Sequence, residues 1–131
     1  MSDSERVVII DDQPTNLKLL AAVLAAEGFE VLTATDAASG LELIEQQRPD
    51  IVLTDIQLPD MDGLEMTRQL KRAAATSEMI VIAVTAYAMA TDERDALAAG
   101  CDGFITKPID TRTLGSTIAG YVAAARAHDR L

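Results

Sequence analysis
Four short apolar runs in this chain end in a residue that can do chemistry. Residues 7–10 (VVII) lead into Asp11-Asp12, the run 51–53 (IVL) into Thr54-Asp55, and residues 79–84 (MIVIAV) into Thr85; Phe104-Ile105-Thr106 is followed by Lys107. If the runs are strands lying side by side, one pocket collects three carboxylates, a hydroxyl and a lysine. Carboxylates crowded in a water-poor cleft repel one another, and a basic neighbour, a bound cation or protonation relieves them. Hard oxygen donors in an open, hydrated setting favour Mg²⁺; zinc would want histidine or cysteine. A carboxylate, a Mg²⁺ site, a lysine and a hydroxyl together suit the receipt of a phosphoryl group, which depends mostly on positioning and on neutralising oxygen charge.

The elements that must deliver these residues are legible around the stretch 51–63, IVLTDIQLPDMDG. Its unbroken apolar start predicts a strand buried on both faces, and Leu58-Pro59 with Asp60-Met61-Asp62-Gly63 predicts a turn into a helix. Residues 7–10, 30–34, 79–84 and 104–106 read as the other strands. Pro14 opens a first helix with Leu17, Leu20 and Leu24 inward and Gly28 as its stop. Asp36 caps a second, with Leu41 and Ile44 inward, ending at Arg48-Pro49. Asp62 or its neighbours start a third, with Met66 and Leu70 inward and basic residues late, where they suit the helix dipole. Thr91 or Asp92 caps a fourth ending at Gly100, and Asp110 caps a fifth with the stripe Leu114, Ile118, Tyr121 and Val122. Only the first residues and the tail after Ala127 are expected to fray. Strict alternation of five strands and five helices argues for an α/β fold, a parallel sheet covered on both faces. Such sheets bind ligands outside the carboxyl ends of their strands.

Composition narrows the function classes. The 131 residues suffice for one domain, and the formal net charge of −10 argues against a nucleic-acid backbone or an anionic membrane as partner. No apolar run is long enough to span a bilayer, and the expectation is a soluble, cytoplasmic protein without membrane insertion. Cys101 is the single cysteine, expected to be a buried structural thiol. His128 is the single histidine and lies near the tail, against a serine–histidine triad or a histidine-ligated metal. No Gly-rich nucleotide loop is present. Taken singly, Asp11 fits a helix cap, Thr85 a β-branched strand residue, Lys107 a solvated charge and Phe104 plain core; their convergence on one sheet edge is what favours function.

Ile10-Asp11-Asp12, Thr54-Asp55-Ile56 with Pro59-Asp60-Met61-Asp62-Gly63, Val84-Thr85-Ala86 and Phe104-Ile105-Thr106-Lys107-Pro108 fall in order at strand ends, and with them the chain resembles the receiver domain of two-component response regulators. The wording is most similar to single-domain receivers of the DivK kind and to receivers attached to hybrid histidine kinases. The resemblance implies a flavodoxin-like, doubly wound sheet of order 2-1-3-4-5 in one receiver domain over residues 5–127, with no separate output domain. It implies a signalling module in a phosphorelay: Asp55 accepts the phosphoryl group from a histidine kinase or histidine phosphotransferase, and a downstream protein reads the result. Asp12 and Asp55 would hold Mg²⁺ with the backbone carbonyl of Gln57, Asp11 would hold a metal-bound water, and Lys107 and Thr85 would meet phosphoryl oxygens. Phe104 would be the aromatic rotor, Gln57 and Tyr87 would tune rates, and the Lys107–Pro108 bond would be cis. The competing readings are a Mg²⁺-dependent phosphatase or phosphotransferase with an Asp55 phosphoenzyme, and a pseudo-receiver scaffold that is never phosphorylated.

Overall fold
The computed structural model describes residues 5–86 and 90–129. Strands and helices alternate: β1 (Arg6–Ile10), α1 (Pro14–Ala26), β2 (Glu30–Ala34), α2 (Ala37–Gln47), β3 (Ile51–Asp55), α3 (Gly63–Arg72), β4 (Ile80–Thr85), α4 (Ala90–Ala99), β5 (Gly103–Thr106) and α5 (Leu114–Asp129). The strands form one parallel sheet in the order β2-β1-β3-β4-β5, the expected topology. Ile10 stands opposite Thr54, Asp55 opposite Val84 and Thr85 opposite Thr106, so four strands end nearly level.

Alternation along each strand divides the core in two. Val8, Ile10, Val52, Val81 and Ala83 pack with Ile44, Met66, Leu70 and Ala96 under α2, α3 and α4. Val7, Ile9, Leu53, Ile82 and Val84 pack with Leu20, Leu24, Ile118 and Val122 under α1 and α5. Burial on both faces explains why β1, β3 and β4 read as continuous apolar runs rather than alternating ones. Each fully buried Ile or Leu contributes about 1.5–3 kcal/mol, which fixes the sheet as a rigid base for whatever its ends carry.

The helix ends follow local chemistry. Gly28 has φ 98°, its N–H reaches the carbonyl of Ala25 at 3.1 Å, and the Phe29 N–H reaches that of Leu24 at 3.1 Å, a double C-terminal cap that uses glycine's freedom at positive φ. Asp36 accepts from the Ser39 N–H at 2.8 Å and Asp62 from that of Leu64 at 2.8 Å, as expected of N-caps. Two caps fall elsewhere than the sequence suggests. Asp110 accepts from the Arg112 N–H at 2.9 Å within a turn, and α5 begins only at Leu114, with the Thr113 carbonyl accepting from the Thr117 N–H at 2.9 Å. The intervening turn uses up the cap, because an Asp side chain bonds the N–H two residues on as readily as a helix N-terminus. α4 already runs from Ala90, so Thr91 and Asp92 lie inside its first turn and the cap is outside the described residues. α5 likewise continues to Asp129, past Ala127, since no glycine or proline stops it there and Arg126 pairs with Glu5.

At the far edge of the sheet, Lys71 bridges the Met79 carbonyl at 2.7 Å and Asp102 at 2.9 Å, and the same Asp102 oxygen accepts from the Val81 N–H at 2.9 Å. Cys101 is buried beside this staple, with its Sγ 3.8 Å from the Thr67 hydroxyl, and burial pushes its thiol up to about 11. A thiolate is the nucleophile, so Cys101 should resist alkylation by iodoacetamide at pH 8 for as long as the protein is folded and react only in denaturant. Rapid labelling of the native protein, read by intact mass, would contradict this placement. Among the described residues no helix is long and apolar enough to cross a membrane.

Candidate functional site
The carboxyl ends of β1, β3, β4 and β5 surround a cleft of about 400 Å³ lined by Asp12, Asp55, Gln57, Thr85 and Lys107, together with Pro59 from the loop after β3. Asp11 sits beside it, only 2% exposed, and Asp55 is 9% exposed. One carboxylate oxygen from each of Asp11, Asp12 and Asp55 lies within 4.8 Å of the others. Such crowding of charged carboxylates is relieved by positive charge nearby. Lys107 supplies it, its Nζ 2.9 Å from Asp55 Oδ2 and 3.0 Å from Asp11 Oδ2. Burial works against the lysine's charge, but the hydrogen bonds to Asp55 and Asp11 outweigh it and hold the ammonium above its ordinary 10.5.

Each carboxylate is aimed by backbone. Asp11 Oδ1 accepts from the Gln13 N–H at 2.9 Å, just ahead of Pro14, leaving Oδ2 for the lysine. This answers the simplest reading of Asp11: it turns the chain into α1 without being its N-cap, which is Gln13. Asp55 Oδ1 accepts from the Gln57 N–H at 3.0 Å, leaving Oδ2 for Lys107. Asp12 is exposed at the cleft, and its carboxylate is the most open of the three. The lysine is anchored in turn, because the Lys107 N–H donates to the Thr85 carbonyl at 2.8 Å and carries the β4–β5 ladder to the cleft. The Lys107–Pro108 bond is cis.

The loop 56–62 forms one wall. The Gly63 N–H donates to the Ile56 carbonyl at 2.7 Å and Gln57 bridges antiparallel to Asp62, so the loop closes on itself before α3 starts. A Cβ on Gly63 would stand 2.2 Å from the Asp55 carbonyl oxygen, which is why the turn ends in glycine: α3 begins in direct contact with the backbone of the central carboxylate. Farther out, Asp60 Oδ1 and Oδ2 accept from the N–H groups of Ala37 and Ala38 at 2.8 and 2.9 Å, and those two bonds hold the Asp60 carboxyl below its ordinary value.

Of the residues singled out in the sequence, Asp11, Asp12, Asp55, Gln57, Thr85 and Lys107 are thus brought together. Phe104 lies on β5 next to the cleft, half-buried against the α2–α3–α4 side of the core, and its carbonyl accepts from the Tyr121 hydroxyl at 3.0 Å. Tyr87 and the side chain of His128 lie outside the described residues. Sequence reasoning named Asp60 and Gly63 as turn and motif residues but passed over the contacts that each makes. A DMDG run signals a turn, but nothing local says which distant N–H groups its first carboxylate will meet.

The donor set suits a hard divalent cation: three carboxylates, one of them open to the cleft, and no histidine or thiolate among the lining residues. Residues 7–119 match the response regulator receiver domain family. The chain is 39% identical over 119 residues to the polar-differentiation response regulator DivK of Brucella anthropi, covering 91% of this chain and 97% of that protein. It is 37% identical over 122 residues to the DivK of Brucella ovis, covering 93% and 99%. Among solved structures, a CheY-like response regulator receiver domain protein from Methanospirillum hungatei superposes with a TM-score of 0.86 at 32% identity, over 96% of this chain and 99% of that one. The chemotaxis response regulator CheY4 of Vibrio cholerae superposes at 0.85 with 23% identity, over 90% and 98%, and shows the fold alone.

Proposed function
From the premise that this chain belongs to the response regulator receiver domain family, and so to two-component phosphorelay signalling, we propose that Asp55 is its phospho-acceptor. The observation that carries the assignment is the pairing of Asp55 with Lys107 at 2.9 Å in a cleft that also gathers Asp11 and Asp12. A carboxylate oxygen of Asp55 attacks the phosphorus of a phosphohistidine; the new P–O bond forms as the P–N bond breaks, and the electron pair leaves on the imidazole nitrogen. Lys107 then exchanges part of its contact with Asp55 for a phosphoryl oxygen, and the Thr85 hydroxyl hydrogen-bonds another. Asp12, Asp55 and the Gln57 carbonyl would hold Mg²⁺, with Asp11 acting through a water; when bound, the ion neutralises charge on the phosphoryl oxygens.

On this reading residues 5–127 act as a cytoplasmic switch or relay module whose chemistry is limited to its own phosphorylation and dephosphorylation. Its donor is a histidine kinase or histidine phosphotransferase, and its reader is a protein. Gln57 and Tyr87 tune the lifetime of the acyl phosphate. Thr85 and Phe104 report it: a hydroxyl drawn toward the phosphoryl group vacates space into which the half-buried ring can turn. Neither a small-substrate phosphatase nor an unphosphorylated scaffold is favoured by the family match and the full acid, hydroxyl and lysine set. Incubation with acetyl phosphate and Mg²⁺ should give one adduct by intact mass; continuous turnover of phosphate, or no adduct, would reject the assignment.

The two neighbouring aspartates should separate in a metal titration. Asp12 is exposed and lines the cleft, whereas Asp11 is only 2% exposed and does not line it. Asp12→Ala is therefore expected to weaken Mg²⁺ by about tenfold or more, and Asp11→Ala by clearly less. Equal affinities in the two variants would show that the division between direct and water-mediated roles is wrong.

A further inference from the structure
The loop after β3 is pinned near both of its ends. The Gln57 N–H is fixed on Asp55, the Gly63 N–H on the Ile56 carbonyl, and the Leu64 N–H on Asp62. Its crest, Leu58-Pro59-Asp60, is tied to the rest of the molecule by Asp60, whose two oxygens take the first two N–H groups of α2. That helix already has a cap, since Asp36 accepts from the Ser39 N–H and the Asp36 carbonyl from the Gly40 N–H. α2 follows β2, and β2 is joined to the cleft edge because the Asp11 N–H donates to the Ala34 carbonyl at 3.1 Å. The Asp60 tether therefore runs from the loop that carries Gln57 to the corner that carries Asp11, spanning the site across β1.

We propose that Asp60 is a positioning residue for the cation site: its bidentate bond to the first turn of α2 holds the Gln57-bearing loop against the sheet edge, so that the loop backbone and the carboxylates of Asp12 and Asp55 face one another. The inference rests on the metal reading above. It differs from simple helix capping because a cap stabilises α2, whereas this tether acts on a wall of the cleft. An aspartate suits the task better than asparagine, since two parallel N–H groups are met by two equivalent acceptor oxygens, and a charged acceptor makes the stronger bonds.

The test is a Mg²⁺ titration of the full chain, followed through the backbone amide shifts of Asp12 and Gln57, with thermal melts of the same samples. Asp60→Ala should weaken Mg²⁺ about tenfold, in the range seen when an outer-shell partner of a metal site is lost. Asp60→Asn, which keeps one acceptor oxygen, should recover most of that loss. Asp36→Ala removes a cap from the same helix end without touching the loop; it should lower the melting temperature and leave Mg²⁺ affinity within about twofold. Asp60→Ala binding Mg²⁺ as tightly as wild type would overturn the proposal, as would an equal weakening by Asp36→Ala, which would mark α2 stability as the cause. A wild-type protein with no saturable Mg²⁺ site at these amides would reject the metal reading itself and this inference with it.

Discussion

Asp55→Asn is expected to eliminate the acetyl phosphate adduct while leaving the fold in place. The amide oxygen carries no negative charge and its nitrogen no available lone pair, so the nucleophile is lost outright, and no neighbour can substitute. Asp11 is the other buried carboxylate of the cluster, but it does not line the cleft and is only 2% exposed against 9% for Asp55. Asp12 belongs to a strand end one position farther along and lacks the Gln57 N–H that orients Asp55. The substitution also removes one of three crowded negative charges, so the melting temperature should stay level or rise slightly. Intact mass after incubation with acetyl phosphate and Mg²⁺ decides the matter; an adduct at wild-type level in the variant would move the acceptor elsewhere.

The second large effect concerns stability. Lys107→Met leaves Asp11 and Asp55 with no ammonium between them, and both are almost wholly buried. Removing one partner of a buried ion pair costs about 3–5 kcal/mol, and since water reaches this cleft about 2–4 kcal/mol is expected here. The variant's urea midpoint at pH 7 should fall accordingly and recover in part with Mg²⁺, which replaces the missing charge. The pH dependence has a definite sign. Because the folded state holds the lysine above its ordinary 10.5, its contribution is complete below that value and is lost as pH rises through the higher folded one. Wild type should therefore lose stability in strong alkali through a step that Lys107→Met lacks. An unchanged midpoint at neutral pH would mean that the carboxylates are relieved by some other route.

What could be read from the chain alone was whatever is encoded over a few neighbouring residues. Continuous apolar runs announced β1, β3 and β4 because both faces of each are covered, and the caps at Asp36 and Asp62 and the stop at Gly28 are local bonds with local signals. The pocket followed, since a parallel sheet leaves few places for Asp12, Asp55, Thr85 and Lys107 to go. The misplaced caps at Asp110 and at Thr91 or Asp92 come from an ambiguity in the same signals: an aspartate before a helical pattern serves equally well in a turn, and a polar pair equally well in a first turn. Outside the pocket, contacts between distant segments left no trace. Asp60 meets N–H groups 22 and 23 residues away, Lys71 meets Asp102 31 residues away, and Gly63 is required by a carbonyl rather than by its own turn. Arg48 at φ 49° also carried no warning, as few residues other than glycine and asparagine advertise a left-handed conformation.

The place of each strand in the sheet has a consequence for how the cleft keeps its charge balance. Asp11, Asp12 and Asp55 are brought together by the pairing of β1 with β3, and β5 takes no part in it. Lys107 arrives with β5, at the sheet's edge and late in the chain, through its bond to the end of β4. The three negative charges are therefore held by interior strands of the sheet, while their counter-charge is held from its edge. Whatever loosens that edge strand withdraws the ammonium from Asp11 and Asp55, so the fit of β5 against β4 sets how far the cleft must lean on a cation from solution.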